Sequence, residues 1–142
     1  MSNPPLTFDR IREALFSAFP ELWERIKATF GSDYDLEKGI PEETPDAYPI
    51  FEDVVKRLLL ELLESGQNEA LLTRLFLFFE EMAKSPDLNV SRDLLGIAIL
   101  EPLVARQESV RAAWRFMGPR MKEFTKDEAR EQGKKIDIPA TD

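Results

Sequence analysis

The 142-residue sequence contains no cysteine and no histidine. Without cysteine, the chain cannot form disulfide bridges, thiolate zinc sites or a cysteine nucleophile, and a reducing compartment suits it. Without histidine, it lacks the usual general base of hydrolases, a common ligand of zinc and haem, and the Glu-x-x-His motif of di-iron bundles. Carboxylate groups are therefore the main catalytic chemistry that remains.

Long apolar runs are also missing. The stretch from Leu58 to Leu63 is interrupted by Glu61, and no run reaches the roughly 20 residues that a bilayer-spanning helix requires. The N-terminus, Met1–Pro5, has neither the basic nor the apolar region of a secretion signal. The glycines do not form the clustered motifs that bind phosphate groups. We therefore expect a cytoplasmic protein that uses no cofactor and does not contact a membrane.

Positive charge is the scarcer sign in this chain. Lysine and arginine total 19 against 27 aspartates and glutamates, which gives a formal net charge of −8. A protein with this charge repels nucleic-acid phosphates and anionic lipid surfaces over the screening length. We therefore expect no nucleic-acid partner.

Apolar residues recur at intervals of three or four along most of the chain, whereas alternation with a period of two is rare. This spacing is typical of helices with one buried face. We predict a single all-α domain, residues 1–142, with about seven short helices and with ends, 1–5 and 134–142, that fray. The predicted helices span residues 7–19, 20–30, 49–65, 69–84, 90–102, 108–117 and 119–132. Gly66 is expected to stop the third helix and Asn68 to cap the N-terminus of the fourth.

Short connections between these helices predict antiparallel hairpins, arranged as an irregular bundle or as a HEAT-like stack. The turns favour the stack, although no internal repeat of fixed length supports a true array. The fifth helix is apolar on nearly every side, including Ile97, so we expect it to be the buried central element. Pro102 is expected to kink or end it.

Residues 32–49 form a long predicted loop, because glycine and three prolines fall among acidic residues there. Between Gly31 and Asp53, eight acidic residues stand against one lysine, a net charge of −7, whereas residues 106–135 have a net charge of +4. Carboxylates beside tyrosine rings suit recognition of a basic protein surface. We predict that the partner-binding residues are Asp33, Tyr34, Asp35, Glu42, Glu43, Asp46 and Tyr48. The alternative is a solvated loop without a binding role.

Three other carboxylates, Glu80, Glu81 and Glu101, adjoin apolar stretches. If adjacent helices bring them together, they could perform acid/base chemistry or bind a hard cation. The alternative places them at the solvent edge or in ion pairs with nearby arginines. We prefer the second interpretation and expect no metal site.

Aromatic residues near the C-terminus are a further candidate surface. Trp114 shares a helical stripe with Val110 and Ala113, which favours a core position. Phe116 falls off that stripe, and together with Arg111 and Arg115 it is expected to form an exposed contact of the kind found in protein interfaces.

Three strings carry a resemblance to a known group of proteins: Leu-Phe-Phe-Glu-Glu-Met-Ala (Leu77–Ala83), Ile-Leu-Glu-Pro-Leu (Ile99–Leu103) and Met-Gly-Pro-Arg-Met-Lys (Met117–Lys122). With them, residues 51–126 resemble small helical bacterial proteins, some of which are immunity proteins of polymorphic and contact-dependent toxin systems. The resemblance implies a cytoplasmic protein that binds a cognate toxin domain and blocks its active site. Many such toxins are nucleases, whose basic grooves an acidic loop can occupy.

Three hypotheses follow from the sequence. The first is a non-catalytic immunity protein or inhibitor that covers a toxin's active site with residues 33–48, called the acidic segment below. The second is a HEAT-like adaptor that holds a peptide or helix in a groove between hairpins. The third is an enzyme in which Glu80, Glu81 and Glu101 hold a divalent metal. We prefer the first, and we leave the oligomeric state open.

Overall fold

The computed structural model describes residues 4–30 and 46–136. Seven helices and no strand occur within these ranges, which confirms the all-α class predicted from the apolar spacing. The helices are α1 (Ile11–Ala18), α2 (Leu22–Phe30), α3 (Ala47–Ile50, Phe51–Val55 and Lys56–Ser65), α4 (Glu69–Ala83), α5 (Asn89–Leu94, Gly96–Leu100 and Glu101–Val104), α6 (Gln107–Trp114) and α7 (Pro119–Glu131). A single turn of 3₁₀-helix, Phe8–Arg10, leads into α1.

The turn between α3 and α4 is built by the two residues that the sequence marks for it. Gly66 has a φ of +69°, in the left-handed region that favours glycine, and its N–H donates to the carbonyl of Leu62 at 3.0 Å. The side-chain oxygen of Asn68 accepts a hydrogen bond from the N–H of Leu71 at 3.2 Å. The predicted glycine stop and asparagine cap are therefore confirmed.

Two helices contain π-helical turns, in which each N–H bonds five residues back. In α3, Lys56 N–H donates to the carbonyl of Phe51, and in α5, Glu101 N–H donates to the carbonyl of Gly96. Pro102 follows directly, in the first turn of the last α-helical stretch of α5, where the missing N–H is tolerated. The helix continues to Val104, so Pro102 does not end it, and the alternative prediction, a kink at Pro102, stays a prediction.

Helix α3 begins at Ala47, inside the segment predicted as a loop. Ala47 and Ile50 are both buried, so contact with the core stabilises this early start. Pro49 lies in the first turn, where proline costs no hydrogen bond. Helix α3 therefore begins two residues before the start at residue 49 that the sequence predicts.

The core is one continuous cluster of apolar side chains, and α5 lies in the middle of it. Helices α3, α4, α6 and α7 all contact α5. In a stack each hairpin would contact only its neighbours along the chain, whereas here α3 also contacts α6, and α4 contacts α7. The arrangement is therefore an irregular bundle rather than the stack that the turns favoured.

One face of α5 is open to solvent, contrary to the expectation that all its apolar residues are buried. Ile97 is 49% exposed, whereas Ala98 and Ile99 are fully buried. Positions 93, 97 and 101 share a helix face because they are four residues apart, and Asp93 and Glu101 are exposed as well. Ile97 therefore belongs to the surface.

Both described ends of the chain contact the bundle, at the N-terminus through residues that follow the segment 1–5 predicted to fray. Ser85 Oγ donates to the carbonyl of Leu6, and Phe8 N–H donates to Asp87 Oδ2 at 2.8 Å. At the other end, Lys134 Nζ donates to the carbonyl of Ala105 at 3.1 Å. Side-chain contacts accompany these hydrogen bonds, since Leu6 and Ile136 pack against the core. Within the described ranges, no helix is long and apolar enough to cross a bilayer.

We predict that Leu75→Ala lowers the free energy of unfolding by about 2–5 kcal/mol, because Leu75 is fully buried and its truncation leaves a cavity. The control is Ile97→Ala, which should lower it by less than about 1 kcal/mol at this half-exposed position. Urea denaturation followed by circular dichroism measures both. Equal losses in the two variants would contradict the helix faces described above.

Candidate functional site: an acidic segment and a groove between α5 and α7

The predicted partner-binding residues are only partly covered by the structure. Asp33, Tyr34, Asp35, Glu42 and Glu43 lie outside the described residues. Asp46 and Tyr48, by contrast, lie at the start of α3.

Asp46 is exposed and precedes α3 without forming a side-chain cap. Tyr48 is partly buried, and its ring centroid lies 5.9 Å from that of Phe8. Burial raises the pKa of Tyr48, and the negative charges of Asp93, Glu52 and Asp46 raise it further. Tyr48 therefore packs α3 against the N-terminal segment, while Asp46 remains accessible beside a cleft of about 300 Å³.

The three carboxylates considered for metal chemistry have separate environments. Glu81 is exposed and lies 3.7 Å from Lys84 Nζ, while Glu101 is exposed on α5. Glu80 is only 6% exposed and points towards α7. Among the described residues, no three carboxylates are grouped as metal ligands would be. Glu81 and Glu101 lie at the solvent edge, as the preferred interpretation has it, although the partner of Glu81 is Lys84 rather than an arginine. That interpretation is wrong for Glu80, which is buried and pairs with no arginine side chain.

The carboxylate of Glu80 caps the N-terminus of α7. Its two oxygens accept hydrogen bonds from the backbone N–H groups of Arg120 and Met121, each at 2.9 Å. The first N–H groups of a helix have no partner within the helix, and its N-terminal dipole favours a negative charge. Gly118 makes this approach possible, because a Cβ atom there would lie 2.5 Å from Glu80 Cδ. The sequence gives no local signal for this contact, since the residues are 40 positions apart.

The aromatic candidates near the C-terminus belong to the packed interior. Trp114 is 2% exposed, as its helical stripe indicated. Phe116 is only partly exposed: its ring stacks on that of Phe76 at 6.1 Å, and the guanidinium of Arg115 covers it at 4.2 Å. Arg115 in turn forms an ion pair with Glu69 at 2.5 Å. The prediction that Phe116 is an exposed contact is therefore wrong, because tertiary packing covers a residue that lies off its own helix stripe.

A groove that the sequence analysis did not identify lies between α5 and α7. It encloses about 280 Å³. The residues that line it are Leu88, Ser91, Arg92, Gly96, Leu100, Phe124, Asp127, Glu128 and Glu131. Along each helix they recur every three or four positions, which is the spacing of one helix face. The groove is thus formed by two facing helix stripes, with apolar groups in its floor and charged groups at its edges.

Negative charge is concentrated on the α7 side of this groove. Partial burial raises the pKa of Glu128 above its ordinary value, and the nearby charges of Glu101 and Glu131 raise it further. Arg92, the cation in the lining, makes no ion pair with another described residue. Glu128 and Glu131 therefore repel each other, whereas Asp127 is paired with Arg130 at 3.2 Å. A cation placed between Glu128 and Glu131 would lower their energy.

We predict that Glu80→Ala lowers the free energy of unfolding by about 2–3 kcal/mol, since it removes two charge-assisted hydrogen bonds and leaves two buried N–H groups without a partner. Glu81→Ala is the matched control on the next residue. It removes only an exposed ion pair and should cost less than about 0.5 kcal/mol. Thermal and urea denaturation give both values. A Glu80 variant as stable as the Glu81 variant would rule out the capping role.

We predict that Glu128→Gln raises the melting temperature at pH 7. Because the pKa of Glu128 is raised in the folded state, its ionised carboxylate lowers the free energy of unfolding. This loss diminishes as the pH falls through the raised pKa. The advantage of the variant should therefore shrink as the pH falls from the raised pKa towards the ordinary glutamate pKa of 4.5, and it should be absent below 4.5. Glu123→Gln, an exposed change on the same helix, controls for net charge. A variant that is less stable than the parent at pH 7 would contradict the assignment.

Comparison with known proteins identifies a family. A family model described as a domain of unknown function (DUF7674) matches residues 12–133. No curated protein and no solved structure matches the chain. The matched range extends from α1 to the second residue after α7, and so includes Glu80, Gly118 and the whole groove. Since the match covers most of the sequence, the chain belongs to the DUF7674 family.

Proposed function

We propose that this protein acts in the cytoplasm by binding a protein partner, and that the partner is a toxin domain which it inhibits as an immunity protein. The observation that carries the proposal is the position of the charge. Residues 31–53 contain a net charge of −7 within a total of −8. Such a concentration speeds encounter with a basic surface, such as the substrate groove of a nuclease.

The described part of the bundle supports a role at the surface. Its four buried polar side chains are Glu80, Ser85, Ser91 and Thr125. Each one bonds to another part of the fold: Glu80 caps α7, Ser85 binds Leu6, and the hydroxyls of Ser91 and Thr125 donate to carbonyls of the preceding helical turn. These buried polar groups therefore stabilise the bundle and leave recognition to the exposed residues.

The second candidate function is an adaptor that holds a peptide or a helix. The groove between α5 and α7 favours it, because an apolar floor with charged edges is the usual form of a site that binds an amphipathic helix. The two functions are compatible, since an inhibitor can use both an acidic segment and a groove.

We predict that changing Asp33, Asp35, Glu42 and Glu43 to lysine lowers the association rate with a basic toxin domain by about tenfold or more, and removes most of its dependence on salt. The toxin domain to test is the variable C-terminal domain of any large secreted protein that sequencing of the neighbouring genes finds beside this one. Stopped-flow fluorescence measures the rate, and co-expression of the two proteins measures protection of the cells.

The matched control reverses four exposed carboxylates elsewhere, Glu13, Glu24, Glu64 and Glu123. It changes the net charge by the same amount, so it separates the position of the charge from its sum. We expect both variants to remain folded, because exposed charges contribute only about tenths of a kcal/mol each. Full protection of cells by the first variant, or an equal loss of association rate in the control, would show that the binding surface lies outside the acidic segment.

A further inference from the structure

The groove between α5 and α7 is built from two parallel sets of side chains. On α5 and the turn before it, Leu88, Arg92, Gly96 and Leu100 follow one another at intervals of four residues. On α7, the lining residues Phe124, Asp127, Glu128 and Glu131 recur every three or four positions. Residues 88 to 100 of the first set span roughly 18 Å, because an α-helix rises about 1.5 Å per residue. The groove therefore has the length of about three helical turns.

Gly96 keeps the middle of this groove open. A Cβ atom at Gly96 would meet nothing within 4 Å, and its φ lies outside the left-handed region. Neither packing nor backbone conformation therefore requires glycine here. Within a helix, glycine is less favourable than alanine by about 0.5–1 kcal/mol. Glycine at position 96 therefore makes the helix less stable than alanine would, at a position where any larger side chain would occupy the groove.

The walls of the groove offer apolar contact that the fold itself leaves uncovered. Leu88 is 60% exposed and Phe124 is partly exposed, whereas Leu100 in the floor is only 4% exposed. The volume of about 280 Å³ is at the lower limit for sites that enclose a drug-sized molecule, which measure roughly 300–1,000 Å³. A space of this size suits a few side chains that a partner inserts along the groove.

Charge determines which partner fits. Glu128 and Glu131 line the α7 wall together with Asp127, whose carboxylate pairs with Arg130 at 3.2 Å, and Arg92 is the basic residue among the lining groups. An occupant with lysine or arginine along the edge that faces α7 would relieve the repulsion between Glu128 and Glu131. Large apolar side chains on its inner face would cover Leu88 and Phe124.

We propose that the groove between α5 and α7 binds an amphipathic helix of the protein partner, with its apolar face on Leu88, Leu100 and Phe124 and a basic edge against the carboxylates of α7. This inference rests on the proposed function, because it requires that the partner is a protein. It adds a second contact surface, separate in sequence from the acidic segment. It also explains why a glycine interrupts an otherwise apolar central helix.

The test uses synthetic peptides and needs no toxin. A fluorescently labelled amphipathic peptide of about 14 residues, made of leucine and lysine, is titrated into the full chain, and the same peptide with glutamate in place of lysine is the control. Anisotropy at about 50 and 300 mM salt gives the dissociation constants. We expect the lysine peptide to bind below about 1 mM and the glutamate peptide to bind at least about tenfold more weakly.

Variants of the protein locate the site. Gly96→Leu fills the groove and should weaken binding of the lysine peptide by about tenfold or more, while Gly96→Ala should raise the melting temperature. The double change Glu128→Gln with Glu131→Gln should weaken binding by about fivefold. The control for net charge is Glu108→Gln with Glu123→Gln, at two exposed positions outside the groove. This double change should alter the dissociation constant of the lysine peptide by less than about twofold.

Four outcomes would overturn the proposal: no binding of the lysine peptide, equal binding of both peptides, unchanged binding by a folded Gly96→Leu variant, or equal losses in the two glutamine pairs. Sedimentation of the unliganded chain adds a fifth. Self-association that Gly96→Leu abolishes would assign the groove to a second copy of this chain. Because the toxin domain is absent from this assay, failure of the toxin-binding experiment leaves the result for the groove intact.

Discussion

The position of α7 depends on one carboxylate. Glu80 lies inside the bundle on α4, and its two oxygens bind the first N–H groups of α7 at 2.9 Å. The contact joins α4 to the last described helix, and Gly118 leaves space for it. Since α7 supplies one wall of the groove, the geometry of that surface depends on a hydrogen-bonded charge at the N-terminus of α7.

Much of the fold could be predicted from local chemistry. Apolar spacing located the helices, and Gly66 and Asn68 marked the sharpest turn in the described chain, because a left-handed backbone and a capping oxygen are properties of single residues. The preference of Trp114 for the core followed in the same way from its stripe. These features need no knowledge of which helices are neighbours.

The remaining features depend on which helices pack against each other, and they could not be predicted from the sequence. Helix α5 continues through Pro102 after a π-helical turn, and Ile97 is exposed because no helix within the described ranges covers that side of α5. Phe116 is covered by Phe76, which lies 40 positions earlier in the chain. The groove depends on the same information, because its two walls come from helices whose facing sides are defined only by packing. Of the predicted binding residues, the structure describes Asp46 and Tyr48, and the role of the segment stays a prediction.

The attachment of the N-terminal segment has a consequence for folding kinetics. The hydrogen bond from Phe8 to Asp87 joins residues 79 positions apart, whereas most contacts in a helical bundle are local. Closing so long a loop before other contacts have formed is entropically unfavourable, so this segment docks after the central helices have assembled. It is correspondingly among the first to detach, and its release removes one hydrogen bond of Asp87, whose other oxygen still accepts from the N–H of Asn89 at the start of α5.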